Sequence, residues 1–327
     1  MRKPAEDPQE ESVPRTARSF KAGKLLLQLV LTALVTWFIL RAIGLDLQAF
    51  RTLDLSLWTL RWPLLALSCL MLLAAYAYSA ALWGVMVREI GVYEVGLVAS
   101  LRAFFTANLA RYVPGKLWQV ASLAYLARRE GVPSGTATGA AVLGQAFALA
   151  GATLIGAGVL VGGELGPGFG GGWVAAVLLV LLVAATFPAV LRGVLALWFR
   201  LARAEVPGGF RPDQAFGVRW LGLYAVAWVL QGLAFWMLVR GFGLDLGVFH
   251  GVVAYSAGYA LGYVAVFAPA GIGVREGFLI AFLGPILGSV DAAAAAVMAR
   301  LWSTAMELLL ALALAGGYLR STGKGEI

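Results

Sequence analysis

The sequence predicts an all-α polytopic membrane protein, with six full transmembrane helices and two re-entrant, broken helical hairpins arranged as inverted-topology repeats. Three observations predict it. Apolar residues form 61% of the chain and charged residues 13%, which leaves too little polar surface to coat a soluble globule. Several apolar runs are long enough, at about 1.5 Å per residue, to cross roughly 30 Å of hydrocarbon. Two further apolar stretches are interrupted midway by Pro and Gly.

Taken in order, residues 1–20 mix Pro4, Pro8 and Pro14 with Glu6, Asp7, Glu10 and Glu11, a composition that cannot bury enough surface to order itself and reads as a flexible cytoplasmic tail. Full spans are expected at Leu25–Ile43, Trp62–Val87, Gly135–Val161, Trp173–Leu191, Trp220–Val239 and Ala292–Tyr318. The first follows Lys21 and Lys24; its length and acidic leader exclude a signal peptide, so it is an anchor that stays. The interrupted stretches are Val95–Ala127, cut at Tyr112-Val113-Pro114-Gly115-Lys116, and Val248–Gly288, cut at Pro269-Ala270-Gly271-Ile272-Gly273. Their second legs, Leu117–Ala127 and Gly277–Leu287, fall short of the roughly 17 residues a helix needs to cross, so each hairpin leaves on the side it entered.

Charge supports this topology. With the N-terminus in the cytoplasm, most Lys and Arg residues flanking the spans fall inside, and only Arg41, Arg51, Arg61 and Arg240 fall at outer ends. The predicted organisation is a first membrane repeat over 21–162 with an inner hairpin at 95–127, and a Gly-rich joint at 163–172. A second repeat follows over 173–320 with an outer hairpin at 248–288, and then a cytoplasmic tail at 321–327. The two halves mirror one another across the membrane plane, the pattern of transporters that reach one central site by two routes.

Broken helices are tolerated in hydrocarbon only where protein buries them or water fills a cavity. Charges inside the membrane cost about 2.5 to 3.5 kcal/mol on insertion scales and need a compensating role. Asn108, Arg111, Lys116 and Gln119 cluster at the first break, and Arg275 and Glu276 follow the second. Glu307 lies near the middle of the last span, with Arg300 on the same helical face. An anion such as a phosphate suits this set, through open backbone N–H groups, an Arg fork and the point charge of Lys116. The structural alternatives are that Arg111 and Lys116 snorkel to the interface, that Arg275 pairs with an acid to lock the fold, and that Glu307 bridges Arg275 or Arg300. Proton coupling is the other role open to Glu307. Gln145 and Gln231, alone in apolar spans, are expected to hydrogen-bond between helices.

Other chemistries find no support. Cys69 is the one cysteine and His250 the one histidine, so thiolate clusters, metal sites and His-based triads lack members. No phosphate-binding glycine loop or nucleophile elbow is present. No cofactor, metal or catalytic residue is expected, and the net charge of +8 follows the span ends rather than forming a nucleic-acid stripe.

The segments Arg111-Tyr-Val-Pro-Gly-Lys116, Arg128-Arg-Glu-Gly-Val-Pro133, Pro269-Ala-Gly-Ile-Gly-Val-Arg-Glu-Gly277 and Ala299-Arg-Leu301 resemble the lysylphosphatidylglycerol synthase transmembrane-region family, the flippase-like domain proteins. The resemblance runs from about residue 25 to 320 and implies lipid translocation in a prokaryotic cytoplasmic (inner) membrane, with both termini cytoplasmic. Ending at Ile327, the chain has no room for the aminoacyl-transferase domain of the two-domain members, so it is not expected to be an enzyme. The expected cargo is an anionic lipid: a phospholipid, an aminoacyl-phospholipid or a polyprenyl-phosphate lipid. Arg111, Lys116, Arg275 and Arg300 would contact its head group, with Glu307 as counter-charge. Two alternatives stand beside it: an intramembrane transferase using Glu276 or Glu307 as base, and a non-transporting partner that recruits a glycosyltransferase through the basic segment Arg192–Arg219. A homodimer, or association with a lipid-modifying enzyme or glycosyltransferase, completes the list of expected partners.

Overall fold

A computed structural model describes residues 59–91, 93–109, 117–161, 178, 180, 182–202, 210–265, 271 and 273–322. The expected first span Leu25–Ile43, the tail 1–20, the joint 163–172 and the first break with Arg111 and Lys116 lie outside these residues. Within them every regular element is helical. In chain order these are α1 (Trp62–Gly91), α2 (Leu97–Leu109), α3 (Leu117–Arg129), α4 (Ser134–Gly156), α5 (Gly158–Val161), α6 (Pro188–Ala202), α7 (Gln214–Gly241), α8 (Val248–Val264), α9 (Val274–Leu287) and α10 (Ser289–Thr322).

Four of the predicted spans are present as helices long and apolar enough to cross a membrane: Trp62–Gly91, Ser134–Leu160, Gln214–Gly241 and Ser289–Leu314. They turn Leu70, Val226, Leu308 and Leu312 outward, and such an apolar exterior calls for lipid rather than water around it. Short helices fill the two interrupted stretches, α2 and α3 with 13 residues each, and α8 and α9 with 17 and 14. A long helix, two short ones and a second long helix thus occur twice along the chain.

The predicted span Trp173–Leu191 ends differently. Residues 182–186 are helical, the chain bends at Phe187, and α6 carries on to Ala202. The expected boundary at Arg192 falls inside this helix, because Arg192 and Arg200 interrupt a helical repeat without breaking it. Leu191, Leu195 and Phe199 recur four residues apart and are buried, while Val190, Leu197 and Leu201 are exposed. The basic segment expected to be a loop from Arg192 is therefore, in its first part, an amphipathic helix, a form suited to a membrane interface.

α1 and α7 run antiparallel along their whole length. At one end the Arg61 N–H donates to the Gly241 carbonyl at 2.7 Å, and at the middle the Tyr78 hydroxyl donates to the Leu223 carbonyl at 3.2 Å. At the other end Glu89 accepts from Arg219 at 2.6 Å and from the Trp220 indole at 3.0 Å. Small residues let the remaining helices close in, as where Gly156 of α4 lies against the Ala257 backbone of α8.

Among the described residues two large apolar cores lie at different depths. One gathers the Glu89 end of α1 (Trp83, Met86, Ile90), the start of α7 (Phe216, Trp220) and residues of both α2 and α3 (Ala107, Leu123, Leu126). The other gathers the far halves of α4 and α7 with α8, α9 and the start of α10 (Ala152, Leu238, Tyr255, Leu283, Ala292). The two short-helix pairs therefore pack at opposite ends of the long helices. Arg88, Arg128, Arg129 and Arg219 mark the first end, and Arg61 and Arg240 the second.

Candidate functional site

Between the two cores lies a cavity of about 210 Å³, room for several water molecules. Its walls come from α1, α2, α3, α4, α7, α8, α9 and α10, so both short-helix pairs reach it. Asn108, Arg275, Arg300 and Glu307, named from sequence as site residues, all line it. Gln119 belongs to α3, but its side chain, like Arg111 and Lys116, is outside the described residues.

Arg275 reaches the cavity because the second break is built from glycines. Gly271 and Gly273 take φ of +68° and +82°, where a Cβ would be strained. A Cβ on Gly262 would stand 2.9 Å from that of Arg275, so α8 and α9 approach as only a missing side chain permits. The Arg275 guanidinium then lies over the Tyr255 ring, 4.6 Å from its centroid. A cation held on an aromatic face is stabilised by the ring quadrupole. Tyr255 is itself stacked on Phe235, with centroids 5.0 Å apart.

Glu276 faces elsewhere. One carboxylate oxygen accepts the Gly273 N–H at 2.7 Å and caps α9, and the other lies 3.7 Å from Arg300. The first amide of this broken helix, expected to meet a ligand anion, is taken by the chain's own carboxylate. Glu276 does not line the cavity; it holds the helix start and Arg300 together. Glu307, 5% exposed, accepts a hydrogen bond from the Tyr76 hydroxyl at 2.9 Å, which ties α10 to α1 at mid-depth.

The aromatic wall is not among the features expected from the sequence. Tyr76, Trp83, Tyr224, Trp228, Tyr259 and Tyr263 all line the cavity, and Trp228 and Tyr259 lie 4.2 Å apart between ring centroids. Tyr255, Tyr259 and Tyr263 are spaced four apart on one face of α8, a signal visible in the sequence but indistinguishable there from packing. Gln145 does bond between helices, its amide donating to the Tyr259 hydroxyl at 3.2 Å, and it also lines the cavity, as does Gln231. Among the described residues no group of three or more His, Cys, Asp and Glu side chains is placed to hold a metal ion.

A cavity of this size with polar lining admits water, which makes a direct prediction. In a Cys69→Ser background, Gln231→Cys will react with a charged, water-soluble thiol reagent at least about tenfold faster than Leu283→Cys, which sits in the dry core. Intact-protein mass over time gives the two rates.

Apolar helices of spanning length enclosing charged and polar groups at mid-depth define a polytopic membrane protein with an internal polar chamber. The family model described as the lysylphosphatidylglycerol synthase TM region matches residues 25–311, and the chain belongs to that family. Comparison with curated proteins and with solved structures gave no match.

Proposed function

We propose that this protein moves an anionic lipid between the leaflets of the bilayer, as a flippase or scramblase, with no chemical change to the lipid. The observation that carries the reading is the mid-depth cavity to which both short-helix pairs contribute and which Arg275 and Arg300 line. A phosphate there would gain charge-assisted, forked hydrogen bonds that lipid tails cannot offer. Two short-helix pairs packed at opposite ends of the long helices support re-entrant hairpins entering from opposite faces, hence six spans arranged as inverted repeats around one site. The Arg-rich end that carries Arg88, Arg128, Arg129 and Arg219 is read as cytoplasmic by the positive-inside rule, in a prokaryotic inner membrane.

Reconstitution tests this. In liposomes holding head-group-labelled phosphatidylglycerol or a labelled polyprenyl phosphate, the purified chain will make label accessible to an external quencher faster than in protein-free vesicles. Exchange no faster than in protein-free vesicles for either lipid, with and without a proton gradient, would end the proposal.

A further inference from the structure

Resting on the lipid-transport reading, we infer that the cavity takes a head group in two parts, a phosphate at the arginines and an uncharged, hydroxyl-rich group at the aromatic and amide wall. The division follows the helices. Charged lining groups among the described residues come from α9 and α10, as Arg275, Arg300 and Glu307. Tyr255 of α8 lies under the Arg275 guanidinium, and the lining that α4, α7 and α8 supply beyond it includes Gln145, Trp228, Gln231, Tyr259 and Tyr263, none of them charged.

The chemistry of that second wall selects its ligand. A glutamine amide and a tyrosine hydroxyl each both donate and accept hydrogen bonds, which matches a hydroxyl. Phosphate oxygens only accept and an ammonium only donates, so either would leave half of these groups unsatisfied. The rings argue the same way. Their faces carry negative quadrupole density, which repels an anion and receives the polarised C–H groups of carbinol carbons. An ammonium could also sit on such faces, but the lining carries two arginines against the one carboxylate of Glu307, and the Arg275 guanidinium already lies over Tyr255. Like charge disfavours a third cation there. Gln145 and Tyr259 are joined at 3.2 Å, so the amide and the hydroxyl are held as one preformed polar patch beside Trp228.

The test is lipid selection by the full chain in detergent, read by native mass spectrometry. The mixture holds equimolar phosphatidylinositol, phosphatidylglycerol, phosphatidic acid, phosphatidylethanolamine and phosphatidylcholine with matched tails. Phosphatidylinositol and phosphatidylglycerol will be retained about tenfold over phosphatidic acid, which keeps the phosphate and lacks the polyol, and over the two ammonium lipids. Tyr259→Phe and Gln145→Met will each bring the phosphatidylinositol to phosphatidic acid ratio towards one without lowering phosphatidic acid retention. Arg275→Gln will lower retention of all the phosphate lipids together. Soluble inositol 1-phosphate, added in excess, will displace phosphatidylinositol only weakly if the tails are part of the ligand; full displacement would reassign the site to a free polyol phosphate and overturn the lipid part of the inference.

Equal retention of phosphatidylinositol and phosphatidic acid, preference for an ammonium lipid, or a ratio unmoved by both wall substitutions would each overturn the two-part site. If such a result comes while Arg275→Gln still lowers retention, the anionic-lipid reading stands alone. If Arg275→Gln changes nothing, that reading fails as well.

Discussion

Arg275→Gln will slow leaflet exchange of head-group-labelled anionic lipid by at least about thirtyfold, the effect expected when a desolvated charge contact worth 2 kcal/mol or more is removed. The fold should survive, because glutamine keeps a polar end at the cavity and lets α8 and α9 pack as before around Gly262. Arg275→Lys will recover part of the rate: it restores a charge but not the planar face that lies on Tyr255. Stopped-flow quenching gives the rates, and a thermal melt of each variant in detergent separates loss of transport from loss of fold. A purely structural arginine would show the reverse order, with melting affected and exchange among folded molecules unchanged.

The second large effect is expected at the turn that aims Arg275. Gly273→Val places a β-branched residue at φ +82°, a conformation costing roughly 1 to 3 kcal/mol. It also disturbs the amide that Glu276 caps at 2.7 Å, a bond contributing about 1 kcal/mol and more if its partner is left buried and unpaired. The melting temperature will fall by several degrees and exchange will drop to the protein-free level. Gly284→Ala in the same helix serves as comparison: nothing lies within 4 Å of the added Cβ, and alanine is the better helix former, so stability will hold or rise. Glu276→Gln will sit between them, since the amide oxygen still accepts from Gly273 but no longer attracts Arg300.

Much of this architecture is legible in the sequence, because lipid imposes a length rule that soluble cores lack. The runs beginning at Trp62, Gly135, Trp220 and Ala292 meet that rule and are long helices, extended by a few residues where a flanking turn continues the hydrogen-bond ladder. Short helices lie on either side of both Pro-Gly segments, as expected of residues that disfavour a helix interior. Arg192 misled the reading because a long basic side chain can carry its charge to the interface from within a helix. The charged lining was legible, as Arg275, Arg300 and Glu307 have no cheap alternative in hydrocarbon. The aromatic wall was not: Trp228 or Tyr259 in an apolar run looks the same whether it meets a neighbour or a cavity. The cap was available in Gly273-x-x-Glu276, a capping-box spacing, but a carboxylate beside Arg275 invited a ligand role first.

The antiparallel clasp of α1 and α7 limits how the protein can move. These helices belong to different halves of the chain, yet they are fastened near both tips and at the centre. Separating them would cost the contacts of Arg61 with Gly241, of Tyr78 with Leu223 and of Arg219 with Glu89. While those contacts hold, the two helices form a single shaft through the molecule. The short pairs α2–α3 and α8–α9 are mounted towards opposite tips of that shaft, and α8 is locked into the apolar core along most of its length.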